Sequence, residues 1–395
     1  MDKQTVRDID VNGKRVLTRV DFNVPLDENS GNITDDSRIK AAVPTIDYLL
    51  DHDARIILCS HMGRPKGNVV PGLSLRVVAE RLSSILRQSV DFVADCIGPE
   101  VEVYANELKN SSILLLENLR FHPEEEKNAP EFAQALARLG EIYVDDAFGT
   151  AHRAHASIVG VTHYLPSVAG LLLEKEINSL GRVLLSPARP FGLLLGGAKV
   201  SDKVALIENI LSKVNYIVIG GGMAATFLKA KGLEVGRSLL DHDIDTASYL
   251  MDKAEKNGVE IFLPQDVVVA DVGGNDNWET VAVSEIPSNK RIVDIGAFTI
   301  THFTRILERC KTVFWNGPIG IYEVPQFADG TRVLARIISS INATTIIGGG
   351  STAEIVTGMN LNGRMTFVST GGGAALKFLS GETLPGMEAL LDKMN

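Results

Sequence analysis

Apolar runs rich in Val, Ile and Leu recur along the chain, and most end in Gly, Asp or Asn before the spacing turns helical. The first half has KRVLTRVDFNV, ARIILCSHMG, SSILLLENLRF and EIYVDDAFG. The second has FGLLLGGAKVS, NYIVIGGGMAA, VEIFLPQDVVV, KTVFWNGPIG, TTIIGGGSTAE and TFVSTGGGAAL. A run that is apolar at successive positions, rather than at alternate ones, buries both faces. That is the pattern of parallel strands covered by helices. Its alternation with helical segments predicts βαβ units, and hence doubly wound, Rossmann-like parallel sheets of the α/β class. Six strand-to-helix turns fall in the second half, enough for a sheet of its own. Between the halves, LLLEKEINSLGRVL keeps helical spacing at Leu173, Ile177, Leu180 and Leu184, and Ser186, Pro187 and Pro190 end it. A second helix is expected over 38–50, with Ile39, Val43, Ile46 and Leu50 on one stripe and Asp36 or Ser37 as its cap. The predicted organisation is a first domain over 1–171, a joining helix over 172–186 and a second domain over 187–380.

Length and composition agree with two domains. The chain has 395 residues, about twice the size of a typical domain. At 45% hydrophobic and 22% charged it can bury two cores. A net charge of −10 argues against non-specific nucleic-acid binding, which needs a basic surface. Cys59, Cys96 and Cys310 are too few and too scattered for a disulfide framework. The opening MDKQTVRDID lacks the apolar stretch of a signal peptide, and no apolar run reaches membrane-span length. A cytoplasmic protein without membrane partners is expected.

The strand ends carry two kinds of chemistry. Ligands of an open parallel sheet bind beyond the carboxyl ends of its strands. In the first half that rule collects Asp21, Asn23, His61, Arg64, Arg120 and Arg153, with Arg38 opening a helix nearby. Any one of these arginines taken alone reads better as a solvated side chain. Several together on an acidic protein point to a small ligand with two anionic groups, because the guanidinium fork matches phosphate and carboxylate. In the second half the turns carry glycine triplets at 220–222, 348–350 and 371–373, and GGAK at 196–199. One triplet is explained by a tight turn. Three that each open a helix suit a phosphate site, where free amides face the anion. GGGMAA and GGGSTA also fit a relaxed dinucleotide fingerprint, so an NAD-dependent oxidoreductase is the rival reading. A non-enzymatic binding module would leave Lys199 and Lys203 without a role.

Together the motifs resemble those of phosphoglycerate kinases over essentially the whole chain. They are RVDFNVP at 19–25, SHMGRPKG at 60–67, LENLRFHPEEE at 116–126, DAFGTAHRAHAS at 146–157, GGAKVSDK at 196–203, GGGMAATFLKA at 220–230, WNGPIGIYE at 315–323 and STGGGAA at 369–375. The resemblance implies reversible phosphoryl transfer between ATP and the carboxylate of 3-phosphoglycerate, giving ADP and 1,3-bisphosphoglycerate. Asp21, Asn23, Arg38, His61, Arg64, Arg120 and Arg153 match the phosphoglycerate site. Arg38, Lys199, Lys203, Gly372 and Gly373 match positions around the transferring group. Lys203, Gly220, Gly221, Asn316, Pro318, Glu323, Gly349, Gly350, Ser351 and Thr352 match the nucleotide site. Mg²⁺ bound with the nucleotide is implied. The family's usual Asp after the GGG turn is replaced here by Ser351, so the metal's ligand on this chain is left unknown. A monomer is implied, with residues 381–395 returning to the first domain.

Neither half holds a complete site, so the two domains are expected to close on each other. The radius of gyration in solution scattering should fall when both substrates are bound, and fall less with either alone. A scattering curve indifferent to both ligands together would rule closure out.

Overall fold

The computed structural model describes residues 2–241, 244–274 and 277–393. The chain forms two compact units, Met1–Asn178 with Thr383–Asn395, and Ser179–Glu382.

The first unit is built on six strands: β1 Arg15–Val20, β2 Arg55–Cys59, β3 Val90–Phe92, β4 Ile113–Leu115, β5 Ile142–Asp146 and β6 Ser167–Ala169. Their order is β3-β4-β2-β1-β5-β6, and every pairing is parallel. Val16, Ile56, Leu58 and Val144 pack with Ile39, Ala42, Ile46, Val78 and Leu82 of two covering helices. Leu17, Ile57, Leu114 and Tyr143, the alternate positions, are buried as well. Both faces are therefore covered, as the unbroken apolar runs predict. Strands β3 and β6 have three residues each, too short for a periodicity to single them out.

The second unit has strands β7 Phe191–Leu195, β8 Tyr216–Ile219, β9 Glu260–Phe262, β10 Asp266–Asp271, β11 Trp278–Ala282, β12 Lys290–Ile295, β13 Thr312–Asn316, β14 Thr344–Gly348 and β15 Phe367–Val368. Six of them form a second all-parallel sheet, β15-β14-β13-β7-β8-β9. The run VEIFLPQDVVV is two strands rather than one. Proline lacks an N–H for the ladder, and the break falls at Pro264. Beyond it β10 joins β11 and β12 in a separate antiparallel sheet.

Two helices refine the sequence reading. The first runs Ser37–Asp51, and its buried residues are Ile39, Ala42, Thr45, Ile46 and Leu49. The core stripe thus takes in Ala42 and Leu49 where Val43 and Leu50 were expected, and exposed Pro44 lies on the outer side. Asp36 makes no capping hydrogen bond. Its carboxylate instead meets Lys40 at 2.8 Å and Arg81 Nε at 2.9 Å, while Asp35 accepts from the Ser37 amide at 2.8 Å. The second helix spans Leu171–Leu185, and the division between the units falls within it. Its first turn is held from the first unit. Asp146 Oδ1 accepts from the amides of Leu172 (2.8 Å) and Leu173 (3.3 Å), and Thr45 Oγ1 from that of Leu171 (2.9 Å). These bonds satisfy donors that a helix start leaves free. The C-terminal segment rejoins the first unit through Gly386 N to Ala151 O (2.8 Å), Leu391 N to Ser167 O (3.0 Å) and Gln4 N to Leu391 O (2.8 Å).

Asp145 and Asp146 are buried at the end of β5, and each has one oxygen with no hydrogen-bond partner in the protein. Burial pushes their carboxyl groups up to about 6 and about 7. The folded chain therefore holds protons that the unfolded chain has released above about pH 4. Their contribution is full below that point and is lost as pH rises through the folded values. The melting temperature should fall between pH 5 and pH 8, and Asp146→Asn should flatten that decline. An unchanged slope in calorimetry of the variant would contradict this assignment.

Candidate active site

Because the strands of the first unit are parallel, the residues after β1, β2, β4 and β5 gather at one edge. Polar bonds between the loops fix them there. Asn23 Oδ1 accepts from the Gly63 amide at 2.8 Å, and Ser60 Oγ from that of Phe22 at 2.9 Å. Asn118, fully buried, accepts from Met62 N and Arg120 N (3.1 Å each) and donates to Met62 O (2.8 Å) and Leu73 O (2.9 Å). Asn118 joins the SHMGRP and LENLRF loops, a role that sequence reading did not assign. Its only sequence signal was a lone amide just beyond an apolar strand.

Charge dominates this edge. Arg38 donates to Asp21 Oδ2 at 2.6 Å and remains one-third exposed. Arg120 is 4% exposed; one terminal nitrogen donates to Gly63 O at 2.7 Å and Nε lies 3.2 Å from Glu126. Its Nε and Nη2 nevertheless make no hydrogen bond within the protein. Burial, then the charge of Arg153, lowers its affinity for its proton to about 10. His61 is buried, and burial first, then Arg19, Arg120, Arg153 and Arg38, hold its imidazole well below the usual histidine range. The ring is neutral, and four guanidinium groups share its field. Arg153 is half-buried. Arg64 is exposed, and among the described residues it forms no ion pair. His155 is also neutral, lowered to about 4 by burial and then by Arg120 and Arg153.

In the second unit the strand ends again share one edge. Lys203 is buried and its ammonium donates to Asn316 Oδ1. Burial lowers its proton affinity. Among the described residues no carboxylate forms an ion pair with it. Asn316 Nδ2 is buried without a partner, and a Cβ on Gly349 would lie 2.8 Å from it. Thr352 Oγ1 accepts from the Gly317 amide at 2.8 Å, tying the helix Gly350–Gly358 after β14 to the loop after β13. Lys199 and Glu323 are exposed. Ser351 is exposed and neighbours Tyr322, which sequence reading missed.

The glycine triplets differ in what they do. A Cβ on Gly220 would strike Ile319 at 2.6 Å, and one on Gly221 (φ +66°) would meet Gly197 N at 2.7 Å and Pro318 O at 2.9 Å. The first triplet lets the loops after β7, β8 and β13 pack backbone on backbone. This satisfies the turn explanation and weakens the dinucleotide fingerprint read from it. Gly350, Gly372 and Gly373 face open space, each at the start of a helix, where amides are available to an anion.

Among the described residues, one group of side chains has metal-ligand spacing: Asp95, Cys96 and His122 of the first unit. Asp95 Oδ1 and His122 Nε2 already bond each other at 2.7 Å. Thiol and imidazole donors do not suit Mg²⁺, which takes oxygen.

Positive charge and free backbone amides are what phosphoryl transfer between two anions asks for, and the fold with these strand ends defines an α/β phosphotransferase. The phosphoglycerate kinase family model matches residues 6–382. The chain is 52% identical to the phosphoglycerate kinases of Moorella thermoacetica and Pelotomaculum thermopropionicum, over 395 residues and the full length of each. The solved phosphoglycerate kinase of Coxiella burnetii superposes with a TM-score of 0.86 at 38% identity, and that of Pyrococcus horikoshii with 0.84 at 32%. Each comparison covers 98% of both chains. The chain belongs to the phosphoglycerate kinase family. It is a glycolytic kinase that transfers phosphate to a carboxyl group.

The two kinds of glycine should separate experimentally. Gly221→Ala should cost more than about 1 kcal/mol of stability, through strain and backbone clash. Gly373→Ala should leave stability within about 0.5 kcal/mol. It should nevertheless lower turnover on the order of 10- to 100-fold by crowding the bound phosphates. Thermal melts and steady-state kinetics of both variants check the contrast; equal melting losses would refute it.

Proposed function

We propose that the first unit binds 3-phosphoglycerate through Asp21, Asn23, Arg38, His61, Arg64, Arg120 and Arg153, and that the second binds ATP or ADP. The observation that carries this is Arg120: a buried guanidinium whose Nε and Nη2 make no hydrogen bond within the protein, crowded by cationic neighbours. Buried donors left without a hydrogen bond are costly, and an anionic ligand that accepts from them offsets that cost. On the nucleotide side Lys203, Asn316 and Thr352 bring an ammonium and two fixed polar groups beside open glycine amides, with Gly220, Gly221, Pro318 and Glu323 toward the adenosine.

The transfer itself asks little covalent work of the protein. The acceptor carboxylate is already ionised at neutral pH and needs no base. The developing charge lies on the equatorial oxygens of the phosphoryl group. Arg38, Lys199 and Lys203 supply cations there, and Gly372 and Gly373 supply amides, preorganised so that no reorientation is needed in the transition state. Reacting atoms must come within about 3–3.5 Å, which we ascribe to domain closure that also expels water. Mg²⁺ bound with the nucleotide would neutralise its phosphate oxygens. Ser351 offers a neutral hydroxyl ligand, which fits an ion that keeps most of its water and phosphate oxygens. A monomeric, cytoplasmic enzyme accords with three buried free cysteines and net charge −10. Among the described residues no helix is long and apolar enough to cross a membrane.

A coupled assay with ATP and 3-phosphoglycerate tests the whole reading. Arg38→Ala should lower turnover on the order of 100- to 1000-fold with a smaller effect on phosphoglycerate affinity. Arg64→Ala should mainly raise the Michaelis constant for phosphoglycerate. Full activity of the Arg38 variant would overturn the assignment.

A further inference from the structure

Arg19 is an anomaly in its strand. It sits inside the apolar run of β1, is 1% exposed, and lies in register between Cys59 of β2 and Asp145 of β5. Each of its three guanidinium nitrogens has a partner within the unit. Nη1 donates to Val20 O, and Nε donates to Ser157 Oγ at 3.0 Å. Ser157 in turn donates its hydroxyl to Glu125 Oε1 at 2.6 Å and its amide to Glu125 Oε2 at 2.9 Å. Glu125 is fully buried, so Arg19 and Glu125 balance each other's charge across one serine. The remaining nitrogen, Nη2, lies 3.1 Å from His61 Nδ1.

That last contact can be made in only one way. A guanidinium has five N–H donors, no acceptor, and does not deprotonate in proteins. His61 Nδ1 must therefore accept, so the ring's single proton is on Nε2. Protonating Nδ1 would set one N–H against another and add a fifth cation to those of Arg19, Arg38, Arg120 and Arg153. We infer that Arg19 is a positioning residue of the acceptor site, locking His61 as the neutral Nε2–H tautomer so that the ring presents a fixed, uncharged donor to phosphoglycerate. The final clause rests on the assignment of His61 to that ligand; the tautomer does not.

Among the described residues, the charges that bear most on the ring share one sign. Arg38, Arg120 and Arg153 act on the ring with the same sign as Arg19. The acidic groups near Arg19 are Glu125, Asp145, Cys59 and Tyr143. Glu125 is committed to Ser157, and burial raises the Cys59 thiol to about 12 and the Tyr143 phenol well above its usual range. Nearby His155 is neutral too. A site crowded with arginines thus gains a hydrogen bond to its ligand without another charge to repel them, and that bond does not switch with pH.

Nitrogen-15 NMR of the imidazole in the full-length protein tests the tautomer directly. In the wild type, His61 should show a bare Nδ1 and a protonated Nε2, with no titration from pH 5.5 to 8.5. In Arg19→Met the ring should begin to titrate within that window; Arg19→Lys, which keeps a pure donor, should restore the untitrated state. The kinetic readout is the ratio of phosphoglycerate Michaelis constants, variant over wild type, in which the ligand's own phosphate titration cancels. For Arg19→Met the ratio should be several-fold at pH 8 and shrink toward pH 5.5 as His61 gains charge, with kcat less affected. A wild-type ring that titrates, or carries its proton on Nδ1, would overturn the inference even if the Met variant failed to fold. A flat kinetic ratio with the NMR result intact would instead overturn the link between His61 and the ligand.

Discussion

Parallel pairing of strands is the constraint on which both units depend. Hydrogen bonding β1 to β2 and β5, and β7 to β8 and β13, in parallel sends every strand's carboxyl end to the same edge. Residues far apart in the chain, such as Asp21, His61, Arg120 and Arg153, then become neighbours without any of them having to attract another. The same constraint explains the burial of both faces. Each parallel connection returns through a crossover segment that covers the sheet, so Val16 and Leu17, adjacent in sequence and opposite in facing, are both inside.

Gathering cations at an edge is electrostatically unfavourable, and the first unit manages this with neutral groups and distributed partners. Arg38 has Asp21, Arg19 has Glu125 through Ser157, and the two histidines within the cluster stay uncharged. Arg120 has Glu126 beside it, yet its Nε and Nη2 make no hydrogen bond within the protein, and under the proposed reading the ligand accepts from them. The second unit uses fewer charges. It places one buried ammonium against an amide and relies on helix starts opened by glycine. Under the proposed reading, a phosphoglycerate with two anionic ends and a nucleotide with a polyphosphate tail suit these two solutions respectively.

Much of this was legible in the chain. Unbroken apolar runs specified buried parallel strands, because burial on both faces removes the period-two alternation that a half-exposed strand must show. Turn composition sorted the two units by chemistry. Family motifs named the residues at each strand end.

What the chain did not show depends on contacts between distant segments. Pro264 broke a run that read as one strand, and β10 beyond it joined β11 and β12 in an antiparallel sheet. The helix from Ser37 turned its core stripe toward Ala42 and Leu49, since packing rather than spacing alone chose which of two adjacent stripes faced the sheet. Gly220 and Gly373 look alike in sequence, yet one is crowded by Ile319 and the other faces open space. Arg19 read as part of a motif, and only the register that sets it beside Cys59 and Asp145 and against His61 gave it a role. Sequence alone determined that the longer apolar runs become strands and which chemistry stands at their ends, because periodicity and turn composition are local. Tertiary structure decided which glycine is structural and which protonation state a histidine holds, because both are properties of neighbours that come together only on folding.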